Sequence, residues 1–413
     1  MNTKIRRLGA RSIPFLSGML AILLAAAIVA SPESSFAASL QGLKLWWSLV
    51  FPALLPFLML SEMLTASGFV HGIGVLLEPL MTRVFRLPGA GGWTLALGAT
   101  AGFPGGAGGV LQLHKQGSLT GKEAGRLASL VHFASPVTLL IVIGAALLHN
   151  PAAGYSLLIL HWLAGLLAGF TASRLGWQPS KPPAPATVSD SKRDSLYHRV
   201  TNAAAHARAQ DGRSFGKLLG EAVGNAVQNL MVVGGYIIMF AVIINILVRL
   251  FPGLPAALPA SLLELHLGAQ ALTGMTETAR ATAASSPNGT AGILGFALLS
   301  AALGWSGICA QLQVLTLLKS AGLRFLPFAA VRLLHGSYAF VLTLLLWKPL
   351  MSLQEKTLPT FTGTQILPAG DVQTYTLWSA FPQLLGVQIS LLALLMLLSG
   401  AVYLFTSLRR RSG

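Results

Sequence analysis

Long apolar runs separated by short polar, cation-bearing stretches set the pattern of this chain. Runs near 13–30, 43–66, 91–113, 127–148, 152–174, 222–248, 291–318, 329–347 and 383–406 match the length of about 20 residues with which a helix crosses the apolar core of a bilayer. The pattern predicts an all-α, polytopic integral membrane protein with about nine spans. Two stretches break it. Residues 176–217, "GWQPSKPPAPATVSDSKRDSLYHRVTNAAAHARAQDGRSFGK", are rich in Pro, Ser and charge, and read as a poorly ordered linker between two membrane halves. Residues 351–382 are polar with the single cation Lys356 and read as an external loop. The organisation that follows is an N-terminal segment (1–40), a first membrane repeat (41–175), the linker (176–217), a second repeat (218–350), the loop (351–382) and a last helix with a basic tail (383–413).

Composition sharpens this. Of 413 residues, 54% are hydrophobic and 10% charged, far from the make-up of soluble domains. The net charge of +16 lies in loops and termini, where the positive-inside rule accounts for it without nucleic acid. Lys181, Lys192, Arg193, Arg199, Arg208, Arg213 and Lys217 place the linker on the cytoplasmic side, together with the N-terminal cluster and Arg409, Arg410 and Arg411. Lys4, Arg6, Arg7 and Arg11, an apolar run and a small-residue site around Ala37 have the parts of a signal peptide, read here as a retained first span. Cys309 is the single cysteine, which excludes an intramolecular disulfide. With all three basic regions inside, five spans before the linker is an odd number. A segment around Glu78 would have to cross as a sixth, while its counterpart around Glu264 would not.

The halves echo each other. Glu62, Glu78, a glycine-rich span, Lys115 and His132 with Ser135 are followed in the second half by Asn245, Glu264, "LGWSGICAQLQ", Lys319 and His335 with Ser337. Lys115 and His132 stand 17 positions apart, Lys319 and His335 16, which suggests a duplicated unit of the kind found in transporters. In "GATAGFPGGAGGVLQLHKQG", Gly98, Gly102 and Gly106 are spaced for close helix packing. Pro104 beside Gly105 and Gly106 points further, to a broken or re-entrant helix whose N-terminal amides face an anion at mid-membrane. "GWSGICAQ", with Trp305, Ser306 and Gly307, repeats the break, and the two are expected to face each other across a central cavity.

Around these breaks the candidate binding residues are Gly102, Phe103, Pro104, Gly105, His132, Ser135, Trp305, Ser306, Gly307, Gln311, Gln313 and His335. Phe103 or Trp305 could lie against a flat ring; ordinary bundle packing is the alternative. Gln311 and Gln313 are polar groups in an apolar helix, facing either a partner helix or an aqueous path. Glu62, Glu78 and Glu264 are candidates for ion or proton coupling, with helix capping as the competing role for the last two. Arg126 and Arg332 read as screened interfacial cations acting on encounter. No nucleotide-binding loop, HExxH or metal-spaced His/Cys set occurs, so neither enzyme, cofactor nor metal is expected.

"SLVFPALLPFLMLSEML", "GVLLEPLMTRVFRLPGAGG", "AGFPGGAG", "FGKLLGEAVGNAVQNLMVVGGYIIMF" and "VRLLHGSYAFVLTLLLWKPL" closely resemble the sporulation integral membrane proteins of endospore formers, within the nucleoside-recognition or Gate-domain superfamily. The match covers about 43–175 and 214–349. The resemblance implies a protein of the mother cell, in the outer forespore membrane, that moves dipicolinic acid toward the spore. It also implies a distant relation to concentrative nucleoside transporters, whose sites lie between helical hairpins. Phe103 stands where the family has the tyrosine of Gly-Tyr-Pro, and "HFASP" (132–136) where it has "NxSNP". The expected partners are a small carboxylate anion and the lipid bilayer. A nucleoside-type carrier, or a non-transporting scaffold of spore assembly recruiting partners through the linker, are the alternatives.

Overall fold

The computed structural model describes residues 18–175, 195–283, 290–357, 386, 389–390 and 393–404, and among these there is no β-strand. Among the described residues five helices are long and apolar enough to cross a membrane: Pro32–Ala66, Pro151–Arg174, Phe215–Leu250, Gly292–Leu317 and Phe325–Ser352. The protein is an all-α polytopic membrane protein. Most of the expected external loop and the basic termini lie outside the described residues.

A short helix α1 (Gly18–Ala30) precedes α2 (Pro32–Leu45) and α3 (Phe51–Ala66), which one π-helical turn, Trp46–Val50, joins into a single span. The wider turn relieves Pro52, whose ring would otherwise press on the carbonyl four residues back. Ala37, the possible cleavage site, lies inside α2.

Helix α4 (Phe69–Pro79) leads into α5 (Gly91–Ala101) and α6 (Phe103–Lys115). These last two hold 11 and 13 residues. At 1.5 Å per residue, neither reaches across an apolar core of about 30 Å. They do not add up to one span either, because the chain doubles back at Gly102 and the two arms lie side by side. A Cβ on Gly106 would sit 3.1 Å from Gly98 Cα, and one on Gly109 would sit 2.8 Å from Thr94 Cγ2. The glycine spacing therefore joins the two arms of a re-entrant hairpin.

After the hairpin, α7 (Gly121–Leu130), started by a full capping box between Thr120 and Glu123, runs inward and stops. Residues 131–135 are unwound, and a π-helical segment, Thr138–Leu147, completes the crossing. Helix α8 (Pro151–Arg174), with Pro151 at its first position and Asn150 accepting from the Ala153 amide, returns antiparallel to it.

The second half repeats this order. Helix α9 (Leu196–Asp211) precedes the long α10 (Phe215–Leu250), which is antiparallel to α2 and α3. Arg249 bonds Ser34 at one end, Trp46 Nε1 donates to the Leu230 carbonyl at 2.9 Å midway, and Arg213 and Asn225 each hold Glu62 at 3.0 Å at the other end. A second hairpin follows, α11 (Ala257–Leu263) and α12 (Leu265–Ala283), folded at Glu264 so that a Cβ on Gly268 would lie 2.6 Å from Ser261 Cα. Next comes an interrupted span, α13 (Thr290–Trp305) and α14 (Gly307–Leu317), broken at Ser306. Then α15 (Phe325–Thr357) packs antiparallel to α8 and α13, and the described part of the chain ends with α16 (Ala393–Leu404).

This order corrects the internal alignment expected from matching letters. Gly102 corresponds to Glu264, the unwound 131–135 to Ser306, and α8 to α15; His335 thus pairs with His161 and not with His132. Phe133 and His161 are 28 positions apart, Ser306 and His335 29. A re-entrant hairpin and a broken span both read as apolar sequence around glycine, and letter spacing could not separate them.

The segment around Glu78 does not cross. With 91–113 re-entrant, α2–α3, α7 with its π segment, and α8 make three crossings among the described residues; α1 (Gly18–Ala30) is no longer than α6 and is not counted. Each half then holds three crossings, an odd number, so the second half is inverted relative to the first. The linker is correspondingly not featureless. Residues 176–194 lie outside the described part, but α9 packs on α4, Arg199 is paired with Glu78, and a Cβ on Gly72 would meet Val200 Cγ1 at 3.3 Å. Arg213, held by Asp211, Glu62 and Glu221, fixes the other end and keeps the Asp211 carboxyl below its ordinary range.

The re-entrant reading makes a direct prediction. In a Cys309→Ser background, Ala90→Cys and Gln116→Cys, both exposed at opposite ends of the first hairpin, should react with a membrane-impermeant maleimide from the same side of the membrane. Labelling from opposite sides would restore a span through 91–113.

Candidate functional site

Two hairpin tips and two helix interruptions meet at the middle of the bundle. Unwound backbone inside a membrane is tolerated only where its peptide groups find partners in protein or line a cavity. The stretch 131–135 meets that demand with side chains and amides from three other elements. The Phe103 amide, at the tip of the first hairpin, donates to the Phe133 carbonyl at 2.7 Å. His161 Nε2 on α8 accepts from the Ala134 amide at 3.0 Å. Arg332 on α15 donates to the His132 carbonyl at 2.6 Å and also to the Ser129 carbonyl, acceptors in and just past the last turn of α7.

Arg332 is thus not an interfacial cation, as expected from sequence; at 1% exposure it is among the most buried side chains, and no carboxylate among the described residues pairs with it. Carbonyl dipoles at a helix C-terminus take the carboxylate's place. Arg126 is also buried, donating to the Phe85 carbonyl at 3.1 Å.

The hydrogen bonds also set the imidazoles. His335 accepts from Arg332 at Nδ1 (3.1 Å) and donates from Nε2 to the His161 carbonyl (2.8 Å), which defines the neutral tautomer with its proton on Nε2. His161, accepting at Nε2, carries its proton on Nδ1. His132 is stacked on Phe103 with ring centres 4.8 Å apart, and its Nε2 lies 2.9 Å from Ser306 Oγ. Ser306 Oγ donates in turn to the Trp305 carbonyl at 2.6 Å, and Gln311 Nε2 adds a second bond to that carbonyl at 3.0 Å. Trp305 Nε1 donates to the Leu262 carbonyl at 2.9 Å, tying α13 to the second hairpin. His132, Ser306, Trp305, Gln311 and His335 are therefore bonded into the framework, Gly307 packs against Glu264 and Leu263, and Gly105 faces Ala101 and Leu97 within its hairpin.

Beside this framework lies a cavity of about 280 Å³. Gly102, Phe103 and Pro104 of the first tip, Ser135 and Thr138 at the start of the π segment, Leu265 and His266 of the second tip, Gln313 of α14, and Asn229 and Tyr236 of α10 contribute to its wall. Three helical starts, at Phe103, near Thr138 and at Leu265, therefore point their N-termini at one space, each with a partial positive charge. Gly102 makes the first tip possible: φ 80° and ψ −173° is a region for glycine, and a Cβ would meet Ser135 Cβ at 3.0 Å. Pro104, expected to cause the break, is a passenger there, sitting within the first turn of α6 where its missing N–H costs nothing.

Of the three carboxylates singled out, Glu62 and Glu78 are ion-paired with the linker side and stand away from the cavity. Glu264 is at the second tip, 3% exposed, accepting the Leu267 amide at 2.7 Å and lying 3.0 Å from His266 Nδ1. Thr138, His161, Asn229, Tyr236 and His266 were missed by sequence reasoning. Each is a polar residue inside an apolar run, the signal that found Gln313, but a single such residue carries no indication of which face it occupies.

Inverted repeats, re-entrant hairpins meeting at mid-depth and a polar-edged cavity between their tips define a membrane protein of the hairpin-repeat type. The comparisons narrow this. The chain is 36% identical over 342 residues to the sporulation integral membrane protein YlbJ of Bacillus subtilis (strain 168), covering 80% of this chain and 81% of that protein. It belongs to that family of sporulation integral membrane proteins. No family model matches the chain, and no solved structure matches it.

Replacing Arg332 tests the framework. Arg332→Met fills similar volume but strips the Ser129 and His132 carbonyls of their donor, at about 1–3 kcal/mol for each orphaned group. Thermal unfolding in detergent should show a loss of about 2–4 kcal/mol, part of the gross cost being offset by removal of a buried charge. Unchanged stability would mean that the guanidinium does not hold the interruption.

Proposed function

We propose that the protein is a transporter or conduit that moves dipicolinate, or a similar small carboxylate anion, across the outer forespore membrane during spore formation, acting without catalysis or cofactor of its own. The observation that carries this reading is the convergence of the two hairpin tips and three helix N-termini on one cavity. A doubly charged ring needs positive potential without a deep fixed cation, and helix N-termini supply that. Phe103, stacked on His132 along one side, gives a flat apolar wall for a ring. At about 280 Å³ the cavity is near the lower end of the roughly 300–1,000 Å³ common for small-molecule sites, which favours a single-ring ligand.

A nucleoside is the second reading. Ser135, Thr138, Asn229, Tyr236 and Gln313 offer more neutral hydrogen-bonding groups than the sequence suggested, and cavities between hairpins are what the resemblance to nucleoside carriers implies. The scaffold reading gains less support, since α9 is engaged with α4 within the chain.

Uptake of labelled dipicolinate by proteoliposomes containing the purified chain, with unlabelled nucleosides as competitors, separates the readings. Dipicolinate should accumulate and nucleosides should not compete; nucleoside uptake with no movement of dipicolinate would reverse the assignment, and no uptake of either would favour the scaffold. Within that assay Gly102→Ala should lower uptake by on the order of tenfold, because a Cβ strains the tip by about 1–3 kcal/mol. Pro104→Ala should stay within about threefold. A larger loss from Pro104→Ala would put the determinant of the tip in the proline after all.

A further inference from the structure

The second hairpin tip holds a feature that anion binding alone does not require. Glu264 and His266 are 3% and 6% exposed, at mid-depth, with Glu264 Oε1 lying 3.0 Å from His266 Nδ1. Glu264 Oε2 accepts from the Leu267 amide at 2.7 Å, so each carboxylate oxygen has a partner and the imidazole is oriented by it. The other ring nitrogen, His266 Nε2, is buried with no partner in the protein, on a side chain that lines the cavity. Ionisable groups inside a membrane are costly and are retained where they bind or carry something.

We propose that Glu264 and His266 form a proton-binding pair that couples anion uptake to a proton, an inference resting on the reading of this cavity as the anion site. With Nδ1–H donating to Glu264, an unprotonated His266 leaves a buried Nε2 lone pair without a donor at the cavity wall, and the pair carries one negative charge beside the cavity. Both features oppose an anion. One proton on Nε2 reverses both: the pair becomes neutral overall, and Nε2–H becomes a donor to a carboxylate. Proton and anion then bind cooperatively, and each raises the affinity of the other by the same factor. The surroundings leave the pair to act by itself. Tyr236 on α10 and Cys309 on α14 are the titratable side chains facing it, whereas α11, α13 and the π segment Thr138–Leu147 carry none.

Two measurements on the full chain keep the proposal separable from the transport reading. In proteoliposomes with the membrane potential clamped, an inward proton gradient of one pH unit should stimulate dipicolinate uptake by ~5- to 10-fold, within the range of coupling between two ligand sites. Residual uptake in Glu264→Gln and in His266→Gln should not respond to the gradient. Wild-type uptake that ignores the gradient, or variants that keep the wild-type response, would overturn the proposal. Independently of transport, 15N-histidine-labelled protein in nanodiscs should show an imidazole that gains its second N–H as the pH is lowered. That signal should vanish in His266→Gln and be lost in Glu264→Gln. A His266 ring that stays neutral throughout, or that titrates identically without Glu264, overturns the pair whatever the uptake shows. Titration as described with no dipicolinate uptake removes the transport reading and leaves the proton site standing.

Discussion

Everything at the centre of this protein depends on the satisfaction of backbone groups where helices stop inside a membrane. Two tips and two interruptions leave free amides and carbonyls at mid-depth, where an unsatisfied group costs several kcal/mol. The chain answers with side chains brought from other elements. Arg332 closes the C-terminal carbonyls of α7, His161 takes the Ala134 amide, and Ser306 and Gln311 cover the Trp305 carbonyl at the end of α13. Because α8 and α15 supply the histidines and the arginine, the interruption in the first half is held by a helix of the second. The two repeats are thereby locked together at the point where the cavity opens.

That arrangement separates framework from cavity. His335 and Ser306, whose side chains are bonded into the framework, are away from the open space, whereas His266, whose Nε2 has no partner, and Gln313 stand at its edge. A site that must hold and release a solute needs both: rigid helix ends whose dipoles stay aimed, and a few polar groups free to bond the ligand. Inversion of the repeats adds the geometry. One hairpin enters from the linker side and the other from the opposite side, so the tips meet while each leaves a route toward a different face of the membrane.

The fold class and the existence of broken helices were legible in the sequence, because hydropathy and the glycine and proline positions report local chain behaviour directly. What the glycines do was less so. Gly98, Gly102 and Gly106 allow a packed span or a hairpin equally well, and only the position of 131–135 beside them decides. Glu264 and Ser306 look unlike Gly102 and "HFASP", so their equivalence in the fold is invisible to letter matching. Gly102, Phe103, Ser135 and Gln313, which line the cavity, could be singled out because they stand near a break or are polar in apolar surroundings. Arg332 was misread because a buried cation held by carbonyls and an imidazole has no acidic residue nearby in sequence to announce it. Asn229 and Tyr236 belong to a helix whose contribution to the cavity is a matter of tertiary packing.

A cryo-EM map of the full-length protein in lipid with dipicolinate bound tests the central claim most directly, that two oppositely inserted hairpins enclose the solute between their tips. The account predicts a chain that turns back at Gly102 and at Glu264, with ligand density between Phe103 and His266. A continuous helix through 91–115, or ligand density lodged elsewhere with the tip cavity empty, would contradict it.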